Sequence, residues 1–148
     1  MKYPLRPSPD YIRTLQDCLL MPASSPQADV YSNGRSEEII GKAIEKYSIP
    51  RSKLVILSKC YFGVDTTGKQ PTIASMSTND RDMVNLVGLS RKHIFDAVEA
   101  SVKRLGTYID VLQIHRLDRD TNREEIMKAL NDVVEKGWVR YIGASSVG

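Results

Sequence analysis

The stretch "YIDVLQIHRLDRD", residues 108–120, decides the fold. Ile109 to Ile114 is a six-residue run, largely apolar and rich in branched side chains, and that length suits a strand rather than a helix. It ends abruptly on His115, Arg116 and a cluster of charge. On both sides of it the pattern changes period. Upstream, "SRKHIFDAVEASVKRLG" (90–106) sets Ile94, Val98, Val102 and Leu105 on one helical stripe, with Ser90 as N-cap and Gly106 as the C′ residue. Downstream, Thr121 and Glu124 form a T-x-x-E capping box before a helix through Ile126, Leu130, Val133 and Val134, which Gly137 closes. A second strand, Val139 to about Ala144, follows in "WVRYIGASSVG".

The same alternation starts earlier. "SEEIIGKAIEKY" predicts a helix with Ser36 as N-cap, two acids in its first turn and an apolar stripe of Ile39, Ile40, Ala43, Ile44 and Tyr47. Pro50 stops it, and "KLVILSK" reads as a short strand ending on Lys59. Strands and helices that alternate over short connections signify parallel βα units. Strands covered on both faces should be continuously apolar, as "LVIL" and "IDVLQI" nearly are. The fold class is therefore α/β. The stretch from Tyr61 to Leu89 has little pattern, and its length suits either a functional lid or a disordered segment. His93 lies off the apolar stripe of its helix and is expected to be solvated. Residues 1–27, punctuated by Pro4, Pro7, Pro9, Pro22 and Pro26, read as a separate N-terminal segment, and residues 28–148 as one domain.

The 148 residues are 41% hydrophobic and 26% charged, which is ordinary for a globular chain. A net charge of +3 is too mild for a nucleic-acid surface. No apolar run is long enough to span a membrane, and the N-terminus lacks the form of a signal peptide. Cys18 and Cys60 form no metal-ligand spacing and are expected as free thiols, so no metal is expected and a cytoplasmic location is the reading. Neither phosphate-binding glycine motif, G-x-G-x-x-G or G-x-x-x-x-G-K-[ST], is present.

Three strands run down to polar residues, Lys59, His115 and the pair Ser145–Ser146, and parallel α/β architectures build sites at such carboxyl ends. Tyr31, in "ADVYSNG", stands just ahead of the first clear helix. Together these residues have a chemical logic. A carbonyl reduced by hydride must receive a proton. A tyrosine can deliver it if an ammonium group stabilises the phenolate, and a neutral imidazole can hold the carbonyl oxygen. Serine hydroxyls can grip a nicotinamide carboxamide. Each residue also has an ordinary reading as a solvated strand end, a packing residue or a turn residue, and spacing alone leaves both open.

The motifs "ADVYSNGRSEEIIGKAI", "LVILSK", "YIDVLQIHRLD" and "VRYIGASS", in that order, resemble the aldo-keto reductases, and within them the fungal branch of aryl-alcohol dehydrogenases. The resemblance covers about residues 28–148. It implies part of a TIM (β/α)8 barrel, an NADPH-dependent oxidoreductase without metal, and small-molecule aldehyde or ketone substrates. It makes Tyr31 the general acid, Lys59 the group that lowers its pKa, His115 the residue that orients the carbonyl, and Ser145 and Ser146 the contacts to the nicotinamide carboxamide. Two departures stand out. Pro26 occupies the position of the family's catalytic aspartate, in "SPQADVY" where the family reads like "FDTADVY". Residues 1–25 do not resemble the family's first two strands, and the last three βα units have no counterpart before residue 148. The resemblance therefore also implies a partial barrel from an altered start and an early stop, with a catalytically inactive or partner-dependent chain as the alternative to an active one. The sequence sets neither substrate identity nor oligomeric state.

Overall fold

The computed structural model describes residues 34–64 and 85–145. Tyr31, Ser146, Pro26, the N-terminal segment and most of the patternless stretch after Tyr61 lie outside them. In chain order the elements are α1 (Arg35–Lys46), a 3-10 turn (Arg51–Lys53), β1 (Leu57–Cys60), α2 (Arg91–Leu105), β2 (Ile109–Ile114), α3 (Arg123–Glu135) and β3 (Val139–Ala144). The strands form one parallel sheet in the order β1-β2-β3, so the sequence-predicted βα alternation holds.

Successive side chains on a strand face opposite ways, and the register sorts them. Leu57, Val111 and Tyr141 form one row, and Lys59, Gln113 and Gly143 form the next on the same face. The opposite face, with Ser58, Cys60, Leu112 and Ile114, turns toward the helices. Leu112 and Cys60 join Ile94, Val98 and Leu105 of α2 and Ile126, Ala129, Leu130 and Val133 of α3 in one buried cluster. Burying a side chain of this size stabilises the fold by about 1.5–3 kcal/mol. Near the amino end of the sheet this first face is covered, with Ile109 and Val139 fully buried, but its rows toward the carboxyl end are open. Leu57 is 57% and Tyr141 71% exposed, and Val55 before β1 is 61% exposed. The apolar run "LVIL", expected to be buried throughout, thus alternates between exposed and buried positions, because the described residues leave the first face open beside β1.

Polar groups fix the helices to the sheet. Ser58 Oγ donates to Glu37 Oε1 at 2.6 Å, and Arg104 Nε donates to Glu37 Oε2 at 2.8 Å, while Arg104 Nη2 also reaches Ser101 Oγ at 3.1 Å. The expected first-turn acid is therefore a buried tie between α1, α2 and β1. Gly41 lets the two helices approach here, since a Cβ on it would stand 2.6 Å from the Arg104 carbonyl oxygen. At the amino end of the sheet, Arg51 donates to Leu54 O, Thr107 Oγ1, Tyr108 O and Asp110 Oδ2, and Asp110 accepts from Ile56 N. The guanidinium groups of Arg51 and Arg140 lie 3.8 and 4.0 Å from the centre of the Tyr108 ring.

Three local expectations change. α1 begins one residue before Ser36, capped by Gly34 at φ +79 with no side-chain cap. Here Ser36 is a first-turn residue, and the left-handed conformation at Gly34 brings the chain into the helix beneath Arg104, whose Nε would lie 2.6 Å from a Cβ on it. Thr121 does not cap α3. Its hydroxyl donates to Asp118 at 2.7 Å, and Asn122 caps instead, accepting from Glu124 N at 2.8 Å. The strand in "KLVILSK" starts only at Leu57, because Arg51–Lys53 close into the 3-10 turn. Ser90 and Gly106 cap α2 as predicted.

Replacing Glu37 by alanine strands Arg104, whose side chain is only 17% exposed, and should cost about 3 kcal/mol. Chemical denaturation would show this as a lower midpoint at unchanged slope, with Glu37→Gln intermediate.

Candidate active site

The carboxyl ends of the three strands are joined by backbone bonds. His115 N donates to Cys60 O at 3.1 Å, and Ser145 N donates to Ile114 O at 2.9 Å. His115 lies two residues beyond Gln113, and Ser145 two beyond Gly143. By the two-residue period both fall on the face that carries Lys59. Three of the sequence-predicted site residues therefore share one face at one end of the sheet, above the row of Leu57, Val111 and Tyr141. Tyr31 and Ser146 lie outside the described residues.

His115 is 7% exposed, and its Nδ1 is buried with no hydrogen-bond partner among the described residues. Phe62 stands perpendicular to it, with ring centres 5.0 Å apart and an interplanar angle of 86°. Burial pushes its pKa below the ordinary 6.5, and the positive charges of Lys59 and Arg116 push it the same way. A neutral imidazole can donate a hydrogen bond to a carbonyl oxygen without bringing a charge of its own. Tyr61, edge-on to Phe62 at 4.9 Å, is shifted in the other direction. Its phenol is raised by burial and then by the charge of Asp118, partly opposed by Arg116, with Asp120 adding a smaller upward push. That is the opposite of what proton delivery from a tyrosine requires.

Asp118, three residues after His115, was not singled out in the sequence. It is 8% exposed and accepts from Leu89 N at 2.8 Å, Asp120 N at 3.0 Å and Thr121 Oγ1 at 2.7 Å. It thereby joins the segment after β2 to the segment before α2. Close by, Gly88 N donates to Tyr61 O at 2.7 Å. The patternless stretch between β1 and α2 thus has its two ends tied together beside the candidate site. Gly88 has to be glycine here: its φ is +95, and a Cβ would stand 2.8 Å from Asp118 Oδ2. The same segment corrects the expectation for His93. That residue is 3% exposed, and its Nδ1–H donates to Gly88 O at 2.7 Å. Gly88 folds back over the first turn of α2 and covers a position that the helical stripe alone leaves outside. Burial lowers the His93 pKa, partly opposed by the Gly88 carbonyl.

The described residues hold one free cysteine, the buried Cys60. Among them, no group of three or more His, Cys, Asp or Glu side chains is placed to hold a metal ion, and no helix is long and apolar enough to cross a membrane.

A parallel βα sheet with polar residues at the carboxyl ends of its strands is common to barrel and doubly wound α/β folds. Comparison with known proteins narrows the class. The model of the aldo/keto reductase family matches residues 27–148. Over 121 residues the chain is 68% identical to versiconal hemiacetal acetate reductase of Aspergillus parasiticus, an alignment covering 81% of this chain and 35% of that protein. It is 60% identical over 125 residues to a protein of Schizosaccharomyces pombe provisionally named an aryl-alcohol dehydrogenase, covering 81% and 36%. It is 51% identical over 127 residues to an aldo-keto reductase of Fusarium vanettenii, covering 81% and 34%. The chain belongs to the aldo/keto reductase family, with relatives in the fungal aryl-alcohol dehydrogenase-like branch, and its parallel βα units are part of that family's TIM barrel. The chain spans about a third of the length of the curated relatives it matches.

Asp118 gives a pH test. Its hydrogen bonds from Leu89, Thr121 and Asp120 outweigh the cost of burial and hold its pKa below the ordinary 3.8. A carboxylate lowered in the folded state contributes stability above its unfolded pKa and loses it as pH falls through the folded value. Asp118→Asn should therefore melt lower than the parent chain at pH 7, by about 1–2 kcal/mol. The gap should close as pH falls below 3.8, a trend that melts taken from pH 7 down to acid would follow directly.

Proposed function

We propose that the catalytic unit to which this chain belongs is a carbonyl reductase that uses a nicotinamide cofactor, NADPH, to reduce aldehydes and ketones, aromatic aldehydes among them. The observation that carries this reading is the placement of Lys59, His115 and Ser145 at the carboxyl ends of adjacent strands, with His115 buried and its pKa lowered by burial and by Lys59 and Arg116. The names of the relatives support the reaction class: one is a hemiacetal acetate reductase and another is provisionally an aryl-alcohol dehydrogenase. Phe62 and Tyr61 add aromatic surface beside the histidine, suited to a flat substrate.

The residues present fit the nicotinamide end of such a cofactor. Ser145 offers a hydroxyl on the same face as His115. Gly143 leaves that face low, since a Cβ there would fill the space against Gln113 and Val111, at 3.5 and 3.6 Å from their side chains. Ser145 and Ser146 would hold the carboxamide. The cofactor, when bound, supplies a hydride to the carbonyl carbon. His115 donates a hydrogen bond to the carbonyl oxygen and holds it in place. Tyr31 passes its phenolic proton to that oxygen as negative charge develops, and the Lys59 ammonium stabilises the phenolate left behind. With Pro26 in place of the family's aspartate, Lys59 lacks that partner, which should lower the rate relative to complete family members.

A second reading has its own observation, the bare sheet face with Leu57 and Tyr141 exposed. In it the chain carries the family's residues without turnover until another polypeptide covers that face. A thermal melt with and without NADPH separates the two. A cooperative transition that rises with cofactor supports binding by the folded chain; a transition indifferent to NADPH supports the second reading. Where turnover of an aromatic aldehyde is seen, Tyr31→Phe should lower kcat by about a hundredfold or more, and equal rates in the two proteins would remove Tyr31 as the acid.

A further inference from the structure

His115 is buried, yet its Nδ1 has no hydrogen-bond partner among the described residues. The tautomer and ring orientation of a histidine are usually set by the bond its second nitrogen makes. Among the described residues it is packing that bears on the orientation. The aromatic group against the imidazole is Phe62, perpendicular to it at 5.0 Å. Phe62 is itself held. Tyr61 packs edge-on against it at 4.9 Å, the Arg116 guanidinium lies 5.5 Å from its ring centre, and the preceding carbonyl, Tyr61 O, accepts from Gly88 N.

We propose that Phe62 is a positioning residue for His115: its perpendicular ring fixes the imidazole plane and keeps water from it, so that the nitrogen other than Nδ1 is presented toward the substrate. This rests on the role of His115 in carbonyl binding proposed above. A perpendicular ring contact has a directional preference that an aliphatic side chain of similar volume lacks, so the arrangement restricts rotation as well as filling space. The charges around the imidazole work in the same direction. Lys59 from β1 and Arg116 from its own segment oppose protonation, whereas the acids Asp118 and Asp120 act on Tyr61. An imidazole that is dry, neutral and fixed in plane is a better-aimed donor than one that turns in water.

The test is an NMR titration of the histidine ring nitrogens in the full 148-residue chain, with the two histidines distinguished by His115→Gln. In the parent chain His115 should titrate below the ordinary 6.5 with one tautomer dominant. In Phe62→Ala the midpoint should move up toward the ordinary value, and the nitrogen shifts should report a mixture of tautomers. Phe62→Leu keeps the apolar volume without the flat ring, and should mix the tautomers while moving the midpoint less. It decides the matter if the alanine variant fails to fold. Phe62→Tyr should restore the parent behaviour. A folded alanine or leucine variant with the midpoint and nitrogen shifts of the parent would overturn the proposal. In turnover, Phe62→Leu should lower kcat about tenfold while KM changes by less than about twofold. A change confined to KM would overturn the positioning role and make Phe62 a simple substrate contact. If the parent chain shows no NADPH-dependent turnover, the second reading of its function holds, and the titration still decides whether Phe62 orients His115.

Discussion

The parallel ladder of β2 is the constraint on which the rest depends. This strand bonds to a neighbour on each side, so its register fixes both of them. Sliding β1 or β3 by one residue would turn every side chain to the other face. In β1, Cys60 would leave the helix-covered core, and Lys59 would leave the face that bears His115. The burial of Leu112 and Ile114 against α2 and α3 therefore does two things at once. It stabilises the fold, and it holds a lysine, a histidine and a serine on one side of the sheet.

The two ends of the sheet divide the labour. At the amino end, Arg51 and Asp110 satisfy backbone and side-chain groups of the turn, the sheet and each other, which is a stabilising arrangement with no free chemistry left in it. At the carboxyl end, the groups are left partly open: a buried imidazole with an unbonded nitrogen, a lysine, and a serine beside a glycine. Asp118 links the two regimes. It spends its acceptors on the neighbouring segments and so ties the segment after His115 to the one before α2.

Much of this was legible in the sequence, for reasons that differ by residue. β2 and β3 matched because a strand flanked by two strongly periodic helices leaves little freedom in where it starts and stops. The positions of Lys59 and His115 at the carboxyl ends of their strands were legible because each ends an apolar run. The misses share a cause, specific hydrogen bonds that a periodic pattern does not encode. Thr121 looked like a helix cap until Asp118, three residues earlier, competed for its hydroxyl. His93 looked solvated because the helical stripe says nothing of a preceding turn that folds back over it. Glu37 looked like a dipole-stabilising surface acid, yet its partners come from Ser58 and Arg104, 21 and 67 residues away. Phe62 left a faint signal, an aromatic residue three positions after the strand-end lysine, whose meaning depended on where His115 would stand.

The bond from Gly88 N to Tyr61 O, with Asp118 beside it, has an evolutionary consequence. It closes the connection between β1 and α2 at its root, so the two anchors are held beside the rim by a bond of their own. The entropy of closing such a connection grows only with the logarithm of its length, about 0.6 kcal/mol for each doubling. Insertions and deletions there leave the lysine and histidine where they are. Descendants of this sequence could lengthen, shorten or rewrite that connection, and explore new substrates, while the reactive end of the sheet is inherited unchanged.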